Sequence, residues 1–276
     1  MAHTSVAAAH IAAGDFRVGS VISRSASMLS RHFLAFFIVT AIANSPLILL
    51  ARTLTPQPTD LDQVGYAVLE MAWGVLGLVQ FIVLGKLGEA VIVHAAFQHM
   101  QCLPARLAES LNVALRRFLP IVGVAFVVVL LIEFVVGVAF DVYFSIRYGF
   151  LENVGLILVI IPGLILYAMW FVAVPACVIE RLGPWTSLRR SRQLTKGHRS
   201  KLFGLALLLI IPSVGAGFLI NFGLAAVADP TAAVIVRLIW NAIWGAFAAL
   251  VIVVTYHDLR VAKEGTDIDR VAAVFD

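Results

Sequence analysis

Six long apolar runs dominate this 276-residue sequence, and they constrain the fold more than any other feature. An α-helix needs about 20 apolar residues to cross the ~30 Å hydrocarbon layer of a membrane, because it rises about 1.5 Å per residue. Each run has that length and is continuous, whereas the strands of a membrane barrel alternate. We therefore predict six spanning helices: Phe33–Ala51, Tyr66–Leu84 (continuing as helix towards Gln98), Phe118–Phe140, Val154–Val178, Leu202–Val227 and Ala232–Tyr256.

The composition favours the same class of protein. Hydrophobic residues make up 61% of the chain and charged residues 13%, whereas soluble domains average about 25% charged residues. The two cysteines, Cys102 and Cys177, lack the spacing of a metal or redox motif, and the seven histidines give no zinc pattern. We expect no cofactor and no metal. Nucleic acid is not an expected partner, because the basic residues adjoin membrane-length runs.

The distribution of basic residues predicts an orientation. Of the twenty Lys and Arg residues, only Arg52, Arg147 and Arg237 fall in the connections on one side of the predicted spans, and seventeen fall on the other. Basic residues are enriched on the cytoplasmic side of membrane proteins. We therefore expect a multi-pass protein of the plasma membrane, here the inner membrane of a bacterium, with both termini in the cytoplasm.

A threefold internal repeat underlies the spans. Phe33, Phe118 and Phe203 recur at a spacing of 85 residues, and each opens an odd-numbered span. Upstream of each lies an amphipathic segment with further positions in register, such as Ser25, Ser110 and Thr195. The predicted fold is an all-α integral membrane protein with six transmembrane helices as three hairpins, each preceded by a cytoplasmic interfacial amphipathic helix. We assign a single membrane domain as follows: an N-terminal tail (1–15), repeat 1 (16–98), repeat 2 (99–181), repeat 3 (182–257) and a cytoplasmic C-terminal tail (258–276).

The third amphipathic segment differs from the other two. The stretch Ser187–Lys201 holds six basic residues and no acid, and Arg192 and Arg199 occupy positions that are apolar in the first two repeats. An anionic leaflet attracts such residues, and guanidinium groups suit phosphate oxygens. The candidate lipid-phosphate residues are Arg189, Arg190, Arg192, Lys196, Arg199 and Lys201. Three interpretations stay open: a nonspecific headgroup anchor, a pocket into which Arg192 and Arg199 turn, and contact with an acidic cytoplasmic protein partner.

A few polar residues interrupt the spans. Glu133 is the one acid well inside a run, so it is either an intramembrane polar site or close to the outer surface. Asn44, Asn221 and Asn241 are candidates for the same site or for interhelical hydrogen bonds. Lys86 and Glu89 lie one helical turn apart, and we expect them to pair near the inner surface.

Several short motifs resemble a known family. They are Glu180–Pro184 with Arg190-Ser191 and Leu194–Gly197, Phe16–Ile22 before the first span, and Tyr256–Arg260 with Glu264-Gly265 after the last. Together they are similar to the glycerophosphoryl diester phosphodiesterase membrane-domain family, which overlaps with bacterial six-span membrane proteins of unknown function. In some relatives this membrane region is fused to a catalytic domain. We expect none in this chain, and the resemblance carries over no catalytic residue.

The residues favour a non-enzymatic function. We expect an integral membrane protein that engages anionic phospholipid headgroups at the cytoplasmic face, in membrane organisation, lipid handling or scaffolding. The alternative is a small transporter or channel, which needs a polar path through the bundle. A lipid enzyme is disfavoured because the sequence shows no acid–base constellation.

Overall fold

The chain folds into helices. The computed structural model describes residues 16–54, 63–101, 103, 106–145, 162–225 and 230–265, and these ranges contain no strand. The helices are α1 (Val18–Arg31), α2 (Phe33–Leu54), α3 (Gln63–Gln80), α4 (Lys86–Met100), α5 (Leu107–Arg116), α6 (Phe118–Ser145), α7 (162–170), α8 (Ala173–Ile179), α9 (Pro184–Thr195), α10 (Arg199–Ala225) and α11 (Pro230–Arg260). One π-helical segment, Phe81–Gly85, joins α3 to α4, and another, Val261–Gly265, extends α11.

Four stretches of these helices are long and apolar enough to cross a membrane: Ala67–Met100, Pro162–Ile179, Arg199–Ile220 and Val234–Gly265. The number rises to six if the bent pairs α1–α2 and α5–α6 each count as one span. The prediction of an all-helical protein with membrane-length apolar helices is therefore confirmed. The arrangement as six spans in three hairpins stays a prediction. The central part of the first predicted outer loop, the second half of the second loop and the first half of the third lie outside the described residues, together with the adjoining residues of the predicted fourth and fifth spans, at 55–62, 146–161 and 226–229.

Each of the three amphipathic segments forms a separate helix. The chain bends by 92° between α1 and α2 and by 70° between α5 and α6, where the amphipathic pattern changes to a continuous apolar run. Between α9 and α10 the chain turns at Gly197, whose φ of 93° lies in the left-handed region that favours glycine. The sequence thus places a short helix before each odd-numbered apolar run, as predicted.

The buried faces of these short helices pack on protein. In α1 the buried residues are Val21, Ser25 and Met28, and α1 contacts α11. Ser25, Ser110 and Thr195, which share a position in the predicted repeat, are all fully buried. An interfacial helix ordinarily rests its apolar face on lipid, whereas the buried residues of α1 pack on other helices. Hydropathy alone does not distinguish a face that packs on lipid from one that packs on neighbouring helices.

The centre of the molecule is a triangle of returning helices. α4, α8 and α11 contact one another. The residues on the facing sides of these three helices are almost fully buried, and Ile92, Cys177 and Leu250 are examples. The helices of the odd-numbered runs pack outside this triangle: α2 contacts α4 and α11, α6 contacts α4 and α8, and α10 contacts α11. At Thr40 a buried hydroxyl of α2 donates a 2.7 Å hydrogen bond to the carbonyl of Ala242 in α11.

Two boundaries differ from those predicted. Helix continues to Met100 in the first repeat. In the last, α11 and its π-helical extension run to Gly265, so the predicted start of the C-terminal tail at Asp258 does not coincide with a helix end. The N-terminal tail (1–15) and residues 266–276 lie outside the described residues, and the three repeat boundaries stay predictions.

Candidate functional site: a basic helix and the polar cluster beneath it

The helix that carries the basic stretch, α9, begins at a well-defined start. Gly183 precedes Pro184, which occupies the first helical position, where its missing N–H costs no hydrogen bond. The hydroxyls of Thr186 and Ser187 each donate a 2.8 Å hydrogen bond to the Gly183 carbonyl. Just upstream, Arg181 has a φ of 55°, and its carbonyl accepts a 2.7 Å hydrogen bond from Arg117. This turn fixes the direction in which α9 leaves α8.

One face of α9 is fixed to the protein. Its buried residues are Ser187, Leu188, Ser191, Leu194 and Thr195. The hydroxyls of Ser191 and Thr195 both donate hydrogen bonds to the Met169 carbonyl, at 2.9 and 3.3 Å. These two bonds satisfy a carbonyl at the turn between α7 and α8. The opposite face of α9 is therefore held in one orientation.

The opposite face of α9 carries the exposed Arg189 and Arg192, and it is continued by Lys196 at the C-terminal cap of α9 and by Arg199 at the start of α10. We call these four residues the basic face. All four residues are exposed. Within the described part of the chain, no hydrogen bond or ion pair involves their side chains. Trp185, in the first turn of the same helix, is 73% exposed. The basic face thus offers four cations and an indole ring that are not used by the described fold.

Of the three interpretations of the basic stretch, the pocket into which Arg192 and Arg199 turn does not match the structure, because both residues are exposed. Arg190 is the arginine of this helix that turns inward. Its Nε donates a 2.9 Å hydrogen bond to Oε1 of Glu180, and its Nη2 pairs with Glu264. The side chain of Arg190 is 25% exposed. Arg190 therefore serves an internal contact and is not available in the way the basic face is.

Five side chains from three parts of the chain form what we call the Glu180 cluster: Glu180, Arg190, Tyr256, Arg260 and Glu264. The Tyr256 hydroxyl donates a 2.7 Å hydrogen bond to the same oxygen of Glu180 that Arg190 contacts. Arg260 donates a 2.6 Å bond to Glu264 through Nε. Burial by itself would lower the pKa of Arg190, but its bonds to Glu180 and Glu264 outweigh burial and raise that pKa above its ordinary value. The guanidinium stays charged.

Two further contacts join other predicted motifs near this cluster. Arg24 of α1 forms an ion pair with Asp258 of α11. Lys201, a predicted phosphate ligand, donates a 2.8 Å hydrogen bond to the carbonyl of the buried residue Phe16. The residues that suggested the family resemblance therefore meet in space although they are far apart in sequence. Of the six candidate phosphate ligands, Arg190 and Lys201 make internal contacts, and the other four form the basic face.

The predicted intramembrane polar residues are not brought together where they are described. The Asn44 side-chain amide donates a 2.7 Å hydrogen bond to the Thr40 carbonyl within α2. Asn241 is half-buried in α11. Neither residue lines the cavities around Lys86, Val39 and His257 in the described part of the chain. The side chains of Glu133 and Asn221 lie outside the described part of the structure.

A different charged pair occupies a cavity that sequence reasoning missed. Lys86 Nζ lies 2.6 Å from Glu89 Oε2, which confirms the predicted pair. The pair lines a cavity of about 340 Å³ that we call the Lys86 cavity, together with Val128, Tyr167 and Trp170. These three residues come from the middle of the third and fourth apolar runs. The pair therefore lies beside the middle of these two apolar runs, and its predicted position near the inner surface stays a prediction.

Two signals in the sequence point to the missed residues. Glu180 and Glu264 are the acids next to the basic stretch and to Arg260, and acids near an excess of basic residues are natural ion-pair partners. Lys86 and Glu89 were predicted as a pair but not as part of a cavity, although charges inside an apolar helix that runs on to Met100 are candidates for a functional site. Among the residues that the structure describes, no three histidine, cysteine or acidic side chains are placed to hold a metal ion.

The fold and this site define an all-helical protein with apolar helices long enough to cross a membrane and an amphipathic helix that presents a basic face. Residues 116–259 match the family described as "Domain of unknown function (DUF7847)", and the chain belongs to that family. The match covers α6 to α11 almost completely and includes Glu180, Arg190 and Tyr256. Comparison with curated proteins and with solved structures gives no match. The resemblance to the phosphodiesterase membrane-domain family stays a prediction.

Proposed function

We propose that this chain is a non-enzymatic integral membrane protein whose basic face engages anionic phospholipid headgroups at the cytoplasmic surface. Its six spans form three hairpins in a bacterial inner membrane, with both termini in the cytoplasm. It acts in membrane organisation, lipid handling or scaffolding. The free basic face is the single observation that carries the proposal.

The two faces of α9 differ in what they contact. The buried face is fixed by the hydrogen bonds of Ser191 and Thr195, so Arg189 and Arg192 on the opposite face are presented without a further ordering cost for the helix. A basic residue near an anionic leaflet contributes about 1 kcal/mol, so four such residues contribute about 4 kcal/mol. The exposed ring of Trp185 suits the boundary between headgroups and acyl chains.

Removing two arginines from the basic face should reduce lipid retention. We expect the protein purified in mild detergent to retain an anionic phospholipid in native mass spectrometry, and Arg192→Ala/Arg199→Ala to lose it. The matched control is Arg106→Ala/Arg116→Ala, which removes two exposed arginines at the edge of α5. Equal retention by both double variants, or no retention by the wild type, would reduce the basic face to an orientation anchor. Retention of an acidic protein instead of a lipid would favour the partner interpretation.

The proposed orientation has its own test. On a background without the native thiols, a cysteine at position 57 should react with a membrane-impermeant maleimide in intact cells, and a cysteine at Gly265 should react only after lysis. The physical reason is the excess of Lys and Arg on the side that carries both termini. The reverse labelling pattern would contradict the orientation and with it the cytoplasmic position of the basic face.

The alternative of a small transporter or channel has no comparable support from the residues predicted for it. It needs polar side chains that converge on a path through the bundle. Asn44 hydrogen-bonds within its own helix, and Asn241 does not line the cavities around Lys86, Val39 or His257. The proposed function therefore rests on the surface of α9 and not on the interior of the helices.

A further inference from the structure

The Lys86 cavity combines features that point to a ligand inside the apolar layer. It lies at the π-helical segment Phe81–Gly85, where α3 passes into α4. Such π-bulges are rare and occur frequently at functional sites. Lys86 also lies 5.0 Å above the centre of the Phe81 ring, so the π-helical segment itself contributes a wall of the cavity.

The depth of the cavity follows from its neighbours. Gly88, one residue before Glu89, approaches α2 so closely that a Cβ on it would lie 3.2 Å from Cβ of Ala43. Ala43 lies ten residues beyond Phe33, about 15 Å along the helix at 1.5 Å per residue. At the other end of α4, Phe97 packs against Tyr256 of the Glu180 cluster. The charged pair is therefore separated from that cluster by about 16 Å of α4, at eleven residues and 1.5 Å per residue.

The polar groups of the cavity have hydrogen-bonding capacity that contacts within the described residues do not use. The ammonium group of Lys86 has three N–H donors, and within the described residues Glu89 accepts the one hydrogen bond that it makes. Tyr167 lines the same cavity, and its hydroxyl makes no hydrogen bond within that part of the chain. The remaining wall is apolar and includes Val124, Val128 and Ile132 of α6. Unused donors and a carboxylate acceptor thus face an otherwise apolar space.

The charge of the cavity restricts what it can hold. Lys86 and Glu89 neutralise each other, so a ligand with a net charge would bring an uncompensated charge into a low-dielectric site. A hydroxyl group fits better, because it accepts a hydrogen bond from the ammonium group and donates one to the carboxylate. The volume of about 340 Å³ is within the range of small-ligand sites.

We propose that the Lys86 cavity binds the hydroxyl-bearing head of a net-neutral amphiphile of the acylglycerol class, with the alkyl chain against the valines of α6. This site is separate from the basic face and goes beyond the proposed function. Lys86 and Glu89 hold the head, and Tyr167 adds a third polar contact.

The test uses the full chain in detergent and 1,2-dioctanoylglycerol as the probe, titrated in native mass spectrometry. Two variants alter the cavity in different ways. Lys86→Met/Glu89→Leu replaces both charges by apolar groups and so leaves neither partner unpaired. Val128→Trp fills the cavity and keeps the pair. Ile42→Trp is the matched control, because Ile42 is exposed and lines a separate, apolar cavity.

We expect one molecule of the probe to bind to the wild type and to Ile42→Trp, and to bind about tenfold more weakly or not at all to the other two variants. Circular dichroism and size-exclusion chromatography identify a variant that has failed to fold, and Val128→Trp then still tests the site. No binding to the wild type, or unchanged binding to either folded site variant, would overturn the proposal. Equal binding of anionic dioctanoyl phosphatidylglycerol, lost in the same variants, would overturn the assignment to a neutral ligand.

Discussion

Replacing Glu180 with alanine should lower the apparent melting temperature of the detergent-solubilised protein by about 6–10 °C, equivalent to about 3 kcal/mol. One carboxylate oxygen of Glu180 accepts hydrogen bonds from both Arg190 and Tyr256. The substitution leaves Arg190 with Glu264 as its remaining acid within the described residues, and it leaves the Tyr256 hydroxyl without this acceptor. Losing one partner of a partly buried charged pair costs more than the pair itself contributes.

Two further variants serve as comparisons for Glu180→Ala. Glu180→Gln keeps an oxygen that accepts hydrogen bonds, so its loss of stability should be about half as large. Glu109→Ala removes a glutamate of α5 that accepts a 3.3 Å bond from Gln98 at an exposed site, and it should change the melting temperature by less than about 2 °C. A Glu180→Ala protein that melts with the wild type would show that the Glu180 cluster does not hold α8, α9 and α11 together.

The second large effect is expected in the inner triangle. Leu250 of α11 is fully buried and packs in a cluster with residues such as Ile92 of α4 and Phe36 of α2. Leu250→Ala should reduce the free energy of unfolding by about 2–3 kcal/mol, the lower part of the range for buried leucines. We expect the lower part of this range because lipid is also apolar. The free energy lost in the variant then comes more from lost packing contacts than from the transfer of the side chain out of water.

The control for this substitution lies on the outer surface. Leu219 of α10 is 76% exposed, and Leu219→Ala should leave stability within about 0.5 kcal/mol of the wild type. Both proteins can be compared by thermal or denaturant unfolding in the same detergent. A larger loss for Leu219 than for Leu250 would mean that α10 is covered by another helix and that the triangle is not the core.

The helices themselves were predictable because their signal is local. A continuous apolar run that begins near Phe33 or Phe118 needs no knowledge of its neighbours to be recognised as a helix. The amphipathic periodicity of α1 likewise predicted a separate helix before Phe33. What covers Val21 and Met28 was not predictable, because the same residues suit lipid and a neighbouring helix equally well. Long-range packing of α1 on α11 leaves no local trace in the sequence.

The candidate site shows the same limit at the level of single side chains. Arg189 and Arg190 are adjacent and identical in type, yet Arg189 is exposed and Arg190 pairs with Glu180 and Glu264. The difference arises from acids that lie ten and seventy-four residues away in sequence. Comparison of the repeats did single out Arg192 and Arg199. It indicated their unusual charge correctly, but it could not give the direction in which each side chain points.

The position of the last helix has a consequence for how the protein is made. α11 makes the main contacts that cover α1 and α2. The hydrogen bond from Thr40 to Ala242 can form only after the chain has been extended by a further 202 residues. At a translation rate of about 5–20 residues per second, that delay is about 10–40 s. During this interval the nascent chain exposes faces that α11 later covers. Membrane insertases and quality-control proteases therefore meet α1 and α2 before the helix that covers them has been synthesised. Ribosome stalling late in the message would leave these two helices uncovered.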